Sequence, residues 1–169
     1  MGYGLIRVRG SKMEFIQMNE LILKKYSDPY IKLKHIFSRT IELIETYSPD
    51  EVAIEAPFYG KNVQSMLKLG RAQGVAMVAA LSRDIPVVEY MPKKIKLAIT
   101  GSGNATKEQV ALMLKANLNL KTLPDNLDAT DGLAAAVCHF YNSKKSISGK
   151  SYKNWASFIS ANPKKVSKK

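Results

Sequence analysis

Six residues, Glu51 to Ala56, read E-V-A-I-E-A and stand between two much longer stretches of helical periodicity. The run is too short for a helix, and its Val-Ala-Ile centre has the composition of a strand covered on both faces. A strand of that kind, flanked by helices, points to an α/β architecture in which helices pack on a sheet. The run also contains a carboxylate, Glu55, where the pattern asks for an apolar residue, and Pro57 follows two positions later.

The rest of the chain repeats the alternation. Tyr3 to Arg9 and Met13 to Leu21 are β-leaning runs separated by Gly10-Ser11-Lys12, the pattern of a hairpin. Ser27-Asp28-Pro29 starts a helix with a capping side chain and a proline whose missing N–H costs nothing in the first turn. Apolar residues at Ile31, Leu33, Ile36, Phe37, Ile41 and Ile44 carry that helix to about Tyr47. A second long helix is expected from Asn62 to Arg83, a short strand from Pro86 to Tyr90, and a helix from Pro92 to Thr100. Thr106-Lys107-Glu108-Gln109 fits a capping box opening a helix to about Leu118, and the stretch Asp125 to Asp131 leads into a final helix to about Tyr141. The expected fold is therefore a mixed sheet flanked by helices. Gly70 and Gly74, four apart, leave one side of the second long helix smooth, for another helix of this chain or for a second subunit.

The formal charge of +12 is uneven. Lys144 to Lys169 holds eight lysines and no acid, so the preceding residues carry only +4 of the total. The chain divides into a domain over 1–142 and a lysine-rich tail over 143–169. Such a balance attracts polyanions, nucleic acid first, although a basic tail also serves solubility alone. Tyr152, Trp155, Phe158 and Ile159 fall near helical spacing in the tail, which is read as disordered or as a short docking helix. Cys138, the one cysteine, lies in an apolar run and is expected in the core of a protein from a reducing compartment. No run is long enough to span a membrane and no secretory pattern opens the chain, so a cytoplasmic location is expected.

Asp128 and Asp131 share a face at the start of the final helix. Taken alone, they cap the helix and favour its dipole. Taken with Glu55, they make an acidic cluster, because open sheets gather functional groups at the carboxyl ends of their strands. Close like charges raise one another's pKa, and a cation relieves that cost. Mg²⁺ is the natural choice, since it prefers carboxylate oxygens and water, and two such ions serve phosphodiester hydrolysis. The loop Phe58-Tyr59-Gly60-Lys61-Asn62 follows directly, and its aromatic pair either stacks on bases or, for Phe58, fills the core. Lys96 and Lys107 lie near helix starts, either to hold phosphates or as solvated charges.

The stretch A-I-E-A-P-F-Y-G-K-N-V-Q-S-M-L-K-L-G-R-A-Q-G-V-A-M-V-A-A-L, from Ala53 to Leu81, closely resembles the RuvC Holliday-junction resolvases. So do V-V-E-Y-M-P-K-K-I-K-L-A-I-T-G-S-G-N-A-T-K-E-Q-V and L-D-A-T-D-G-L-A-A-A-V-C-H. The likeness runs from Gly2 to about Asn142. It implies a ribonuclease-H-like fold, a homodimer, and Mg²⁺-dependent paired nicking of a four-way DNA junction in recombination and repair. It implies a branch-migration motor complex of the RuvA and RuvB type as partner. By the same resemblance Glu55, Asp128 and Asp131 are catalytic metal ligands, holding two Mg²⁺ per site. Phe58, Tyr59, Lys61, Asn62, Lys96 and Lys107 are DNA-contacting residues, and Gly70 and Gly74 lie at the dimer interface.

The resemblance departs at the front. Family members open with a strand like I-L-G-I-D-P-G ahead of G-Y-G, whereas this sequence begins Met1-Gly2-Tyr3-Gly4. The expectation is that a central first strand and its aspartate are absent, and that the natural start lies upstream. An alternative follows from a different class: a non-catalytic protein that keeps only the junction-binding surface. A third reading, a related nuclease acting on RNA, fits D-A-T-D and F-Y-G-K-N less well.

Overall fold

The computed structural model describes residues 1–57, 62–124 and 126–148, with side chains described through Ser143. Strands β1 (Gly2–Arg9) and β2 (Lys12–Glu20) form an antiparallel hairpin with a bulge at Leu5/Ile6. Helix α1 (Pro29–Tyr47) follows, then β3 (Val52–Glu55), α2 (Val63–Leu81), β4 (Val87–Tyr90), α3 (Pro92–Thr100), α4 (Lys107–Asn117) and α5 (Asp128–Ser148). Local chemistry sets most of these bounds. The Asp28 carboxylate accepts from the N–H groups of Tyr30 and Ile31, Pro29 occupies the first turn, and Ser48 closes α1 in the left-handed region with its N–H on the Ile44 carbonyl. Thr106 and Gln109 complete the capping box of α4. The final helix runs past Tyr141 to Ser148, further than expected and into the stretch read from sequence as tail.

The antiparallel and parallel pairings of a mixed sheet are both present, in two separate two-stranded sheets: β1 with β2, and β3 parallel to β4 in the register Val52↔Val87 through Glu55↔Tyr90. Period-two alternation splits the β3–β4 pair between two cores. Ala53, Val88 and Tyr90 join Ile95, Ile99, Val110, Leu114, Leu133 and Val137 under α5, α3 and α4. Val52 and Val87 join Ile44, Ala80 and Ile85 under α1 and α2. Cys138 is buried in the larger core, as expected.

Two expectations need correction. Val52, Ala53 and Ile54 are half-buried rather than covered on both faces, because β3 pairs with β4 alone among the described strands. The inference of an absent central strand gains no support from the fold. Helix α5 lies directly along β1 and also reaches β3 and β4. Its contact with β1 is backbone on backbone: a Cβ at Gly4 would stand 2.5 Å from Leu133 Cα, and one at Gly132 would stand 2.4 Å from Tyr3 Cα. Only glycine permits that approach. Arg39 ties α1 to the same strand, donating to the Tyr3 hydroxyl and pairing with Glu42. Among the described residues, no helix is long and apolar enough to cross a membrane.

Candidate active site at the carboxyl end of β3

Glu55 is the last residue of β3 and shares a strand face with Ala53, which packs into the core beneath α5. The strand end is fixed from two sides. Gln73 of α2 donates its side-chain amide to the Glu55 carbonyl, and the Ala56 N–H donates to the Tyr90 carbonyl at 2.9 Å. Desolvation by the surrounding chain, and then the negative charge of Asp131, push the Glu55 carboxyl above its ordinary range, while Lys107 and Lys96 pull the other way.

Asp128 and Asp131 stand on the first turn of α5, where the helix dipole favours negative charge. The Asp128 N–H donates to the Asn126 side chain at 3.1 Å, and Asn126 donates to Glu20 Oε2 at 2.6 Å, so the start of α5 is moored to β2. The capping box of α4 places Lys107 as that helix's first residue. Its ammonium lies 2.6 Å from Asp128 Oδ1 and 2.9 Å from Asp131 Oδ2. Although burial works against the charge, these two hydrogen bonds hold the Lys107 ammonium above its ordinary range. Lys107 in turn lowers the exposed Asp128 carboxyl. Asp131 is less exposed, and there burial outweighs the lysine and raises the carboxyl.

Two carboxylates thus converge on one positive charge, with a third close enough for its pKa to respond. That donor set suits a hard cation, with the ammonium occupying the place of one. Among the described residues, no three His, Cys, Asp or Glu side chains converge closely enough to hold a single ion, so the arrangement is a two-carboxylate pair with Glu55 beside it.

The family profile of "Crossover junction endodeoxyribonuclease RuvC" matches residues 1–139. The crossover junction endodeoxyribonuclease RuvC of Christiangramia forsetii is 71% identical over 166 residues, covering 98% of this chain and 86% of the relative. That of Bacteroides fragilis is 58% identical over 168 residues, covering 98% and 89%. This chain belongs to the RuvC family. Among solved structures, Thermus thermophilus RuvC in complex with a Holliday junction substrate superposes with a TM-score of 0.79 at 30% identity, covering 86% of this chain and 88% of that one. The RuvC likeness carries the α/β, ribonuclease-H-like class and the enzyme class, an endodeoxyribonuclease, expected from sequence. The non-catalytic alternative is not favoured, since relatives bearing the enzyme's name match nearly the whole chain. The expectation of an absent strand finds no support in these matches either.

Within this RuvC-like frame the sequence-derived candidates fall in three places. Glu55, Asp128, Asp131, Lys107 and Lys96 are brought together at the carboxyl end of β3. Asn62 caps α2 through a hydrogen bond from the Ser65 N–H at 3.0 Å. Gly70 and Gly74 face open space among the described residues. Phe58, Tyr59, Lys61 and the aromatic residues of the tail lie outside the described residues. Sequence reading missed Gln73, Asn126 and the triplet Glu51, His139 and Tyr90. The Tyr90 hydroxyl is 2.8 Å from His139 Nδ1, and His139 Nε2 contacts Glu51. No periodicity signals such contacts, and the only cue was polarity at the edges of an apolar strand and within an apolar helix.

Proposed function

We propose that this chain resolves four-way DNA junctions by paired symmetric nicks in homologous recombination and repair, with Mg²⁺ as cofactor. The observation that supports this best is the convergence of Asp128 and Asp131 on one cationic group beside Glu55 at a strand end. Asp128 and Asp131 would hold the cation, with Glu55 as the further carboxylate that a second ion needs. When bound, Mg²⁺ would offset charge on the phosphate and activate water for in-line attack, with the 3′ oxygen leaving.

The chain's own groups do the rest. With Asp128 and Asp131 holding a cation, the Lys107 ammonium would be free to pair with the negative phosphate, and Lys96, whose charge acts on Glu55, would add to it. Gln73 and the Ala56–Tyr90 bond keep the Glu55 backbone from shifting. By the family resemblance Phe58, Tyr59, Lys61 and Asn62 would contact the DNA.

A homodimer is supported by the exposed apolar side of α2. Leu67, Val78 and Leu81 are exposed there, and Leu33, Phe37, Arg71, Gly74, Val75 and Val78 line a shallow depression between α1 and α2. A two-fold dimer suits a two-fold junction. Division into a catalytic domain over 1–142 and a basic tail over 143–169, a cytoplasmic location, and a branch-migration motor of the RuvA and RuvB type rest on sequence and family resemblance. The test is a synthetic four-way DNA junction incubated with the full chain and Mg²⁺. Paired nicks are expected, with Glu55→Gln abolishing cutting and leaving binding within about twofold; retained cutting by that variant would overturn the site.

A further inference from the structure

Eight residues beyond Asp131 on the same side of α5 stands His139, and four residues before Glu55, immediately ahead of β3, stands Glu51. His139 contacts Glu51, while the charge of Asp131 acts on Glu55, so α5 runs antiparallel to β3. Eight helical residues rise ~12 Å and four strand residues ~13 Å, so the two spans match. Contact at one end therefore fixes which residues meet at the other.

Between the two ends Leu133 and Val137 are fully buried and share in holding this register, but they make no directed contact with β3. The α5 stretch between them is rich in small residues, Gly132, Ala134, Ala135, Ala136 and Cys138, and it meets Ala53 on β3. Glycine contacts at β1 set how close α5 approaches, but smooth backbone contact resists sliding poorly. A directed polar contact does resist it. Glu51 is an acceptor, so His139 Nε2 carries the proton toward it, and in the neutral ring Nδ1 accepts from Tyr90. Tyr90 is only 5% exposed and is the β4 partner of Glu55 in the parallel register. One histidine on α5 thus holds the residue that enters β3 and the last residue of β4.

We propose that Glu51, His139 and Tyr90 form a register clamp that sets the spacing of Asp131 from Glu55, with His139 as its positioning residue. Its catalytic consequence rests on the proposed function, whereas its geometric consequence does not. The test compares the full chain with its His139→Ala and His139→Gln variants, since a glutamine amide can still donate to Glu51. Crystal structures, Mn²⁺ binding to the protein alone, and cleavage and binding of a four-way DNA junction are measured for all three.

In His139→Ala, α5 is expected to shift along β3 by about 1 Å, with cleavage falling by up to about 100-fold while junction binding stays within twofold. Weaker Mn²⁺ binding should accompany the shift, and His139→Gln should restore most of the spacing, the metal affinity and the rate. An unchanged Asp131–Glu55 spacing in His139→Ala would overturn the clamp whatever the activity. So would equal loss in both variants in step with their melting temperatures, the mark of a merely structural histidine. A shifted helix in a chain whose wild type never cuts junctions would uphold the clamp and overturn the proposed function.

Discussion

Lys107 Nζ and Asp128 Oδ1 lie 2.6 Å apart although 21 residues separate them in the chain. The same ammonium reaches Asp131, so one lysine at the start of α4 balances two aspartates at the start of α5. Lys107→Met should leave those carboxylates facing each other without a counter-charge. The Asp128 carboxyl is then expected to rise from its depressed position toward or above its ordinary value of 3.8, read by carboxyl-carbon NMR titration. An unmoved Asp128 would show that the lysine does not hold it down.

Glu55 should cost the fold some stability at neutral pH. Its carboxyl is raised, so the folded chain favours the protonated form, and stability associated with this group is gained as pH falls. Glu55→Gln mimics that form. The variant is expected to melt higher by up to ~2 °C at pH 7.5, a modest figure because the residue is exposed and solvent screens it. The advantage should shrink as pH falls through the folded Glu55 pKa and vanish below the ordinary value of 4.5. A difference that persists at pH 3.5 would point to a cause other than ionisation.

Cleavage should fall on the acid side earlier than an ordinary carboxylate would dictate. Both Glu55 and Asp131 are raised, so they take up protons above the usual range and lose their charge together with their capacity for metal. The pH–rate profile on a junction is expected to bend above the usual carboxylate range. A profile flat down to that range would count against these two groups as the required ionised acids.

Two kinds of glycine should respond in opposite ways. Gly132→Ala puts a Cβ against the Tyr3 backbone and should destabilise by about 1–3 kcal/mol in urea denaturation. Gly70→Ala and Gly74→Ala meet open space among the described residues and should be neutral or stabilising by up to ~1 kcal/mol. If α2 is the dimer face, those two variants should nonetheless weaken self-association in sedimentation. Unchanged association would move the dimer interface elsewhere.

How much of this was legible beforehand depends on the range of the interaction. Asp28 with Pro29, the Thr106–Gln109 box and the hairpin around Gly10 act within a few residues, so composition and spacing determined where those elements begin and turn. The acidic residues Glu55, Asp128 and Asp131 stood out for a related reason, as charges at element ends where burial pressure is interrupted. Only the tertiary structure decided which cation meets them, since Lys107 comes from a third element and its distance to Asp128 depends on how α4 and α5 pack. The same holds for His139 between Tyr90 and Glu51, and for Gly132 against Tyr3. Partners far apart in sequence leave no periodic trace, because their pairing is set by the fold's geometry and not by the local backbone.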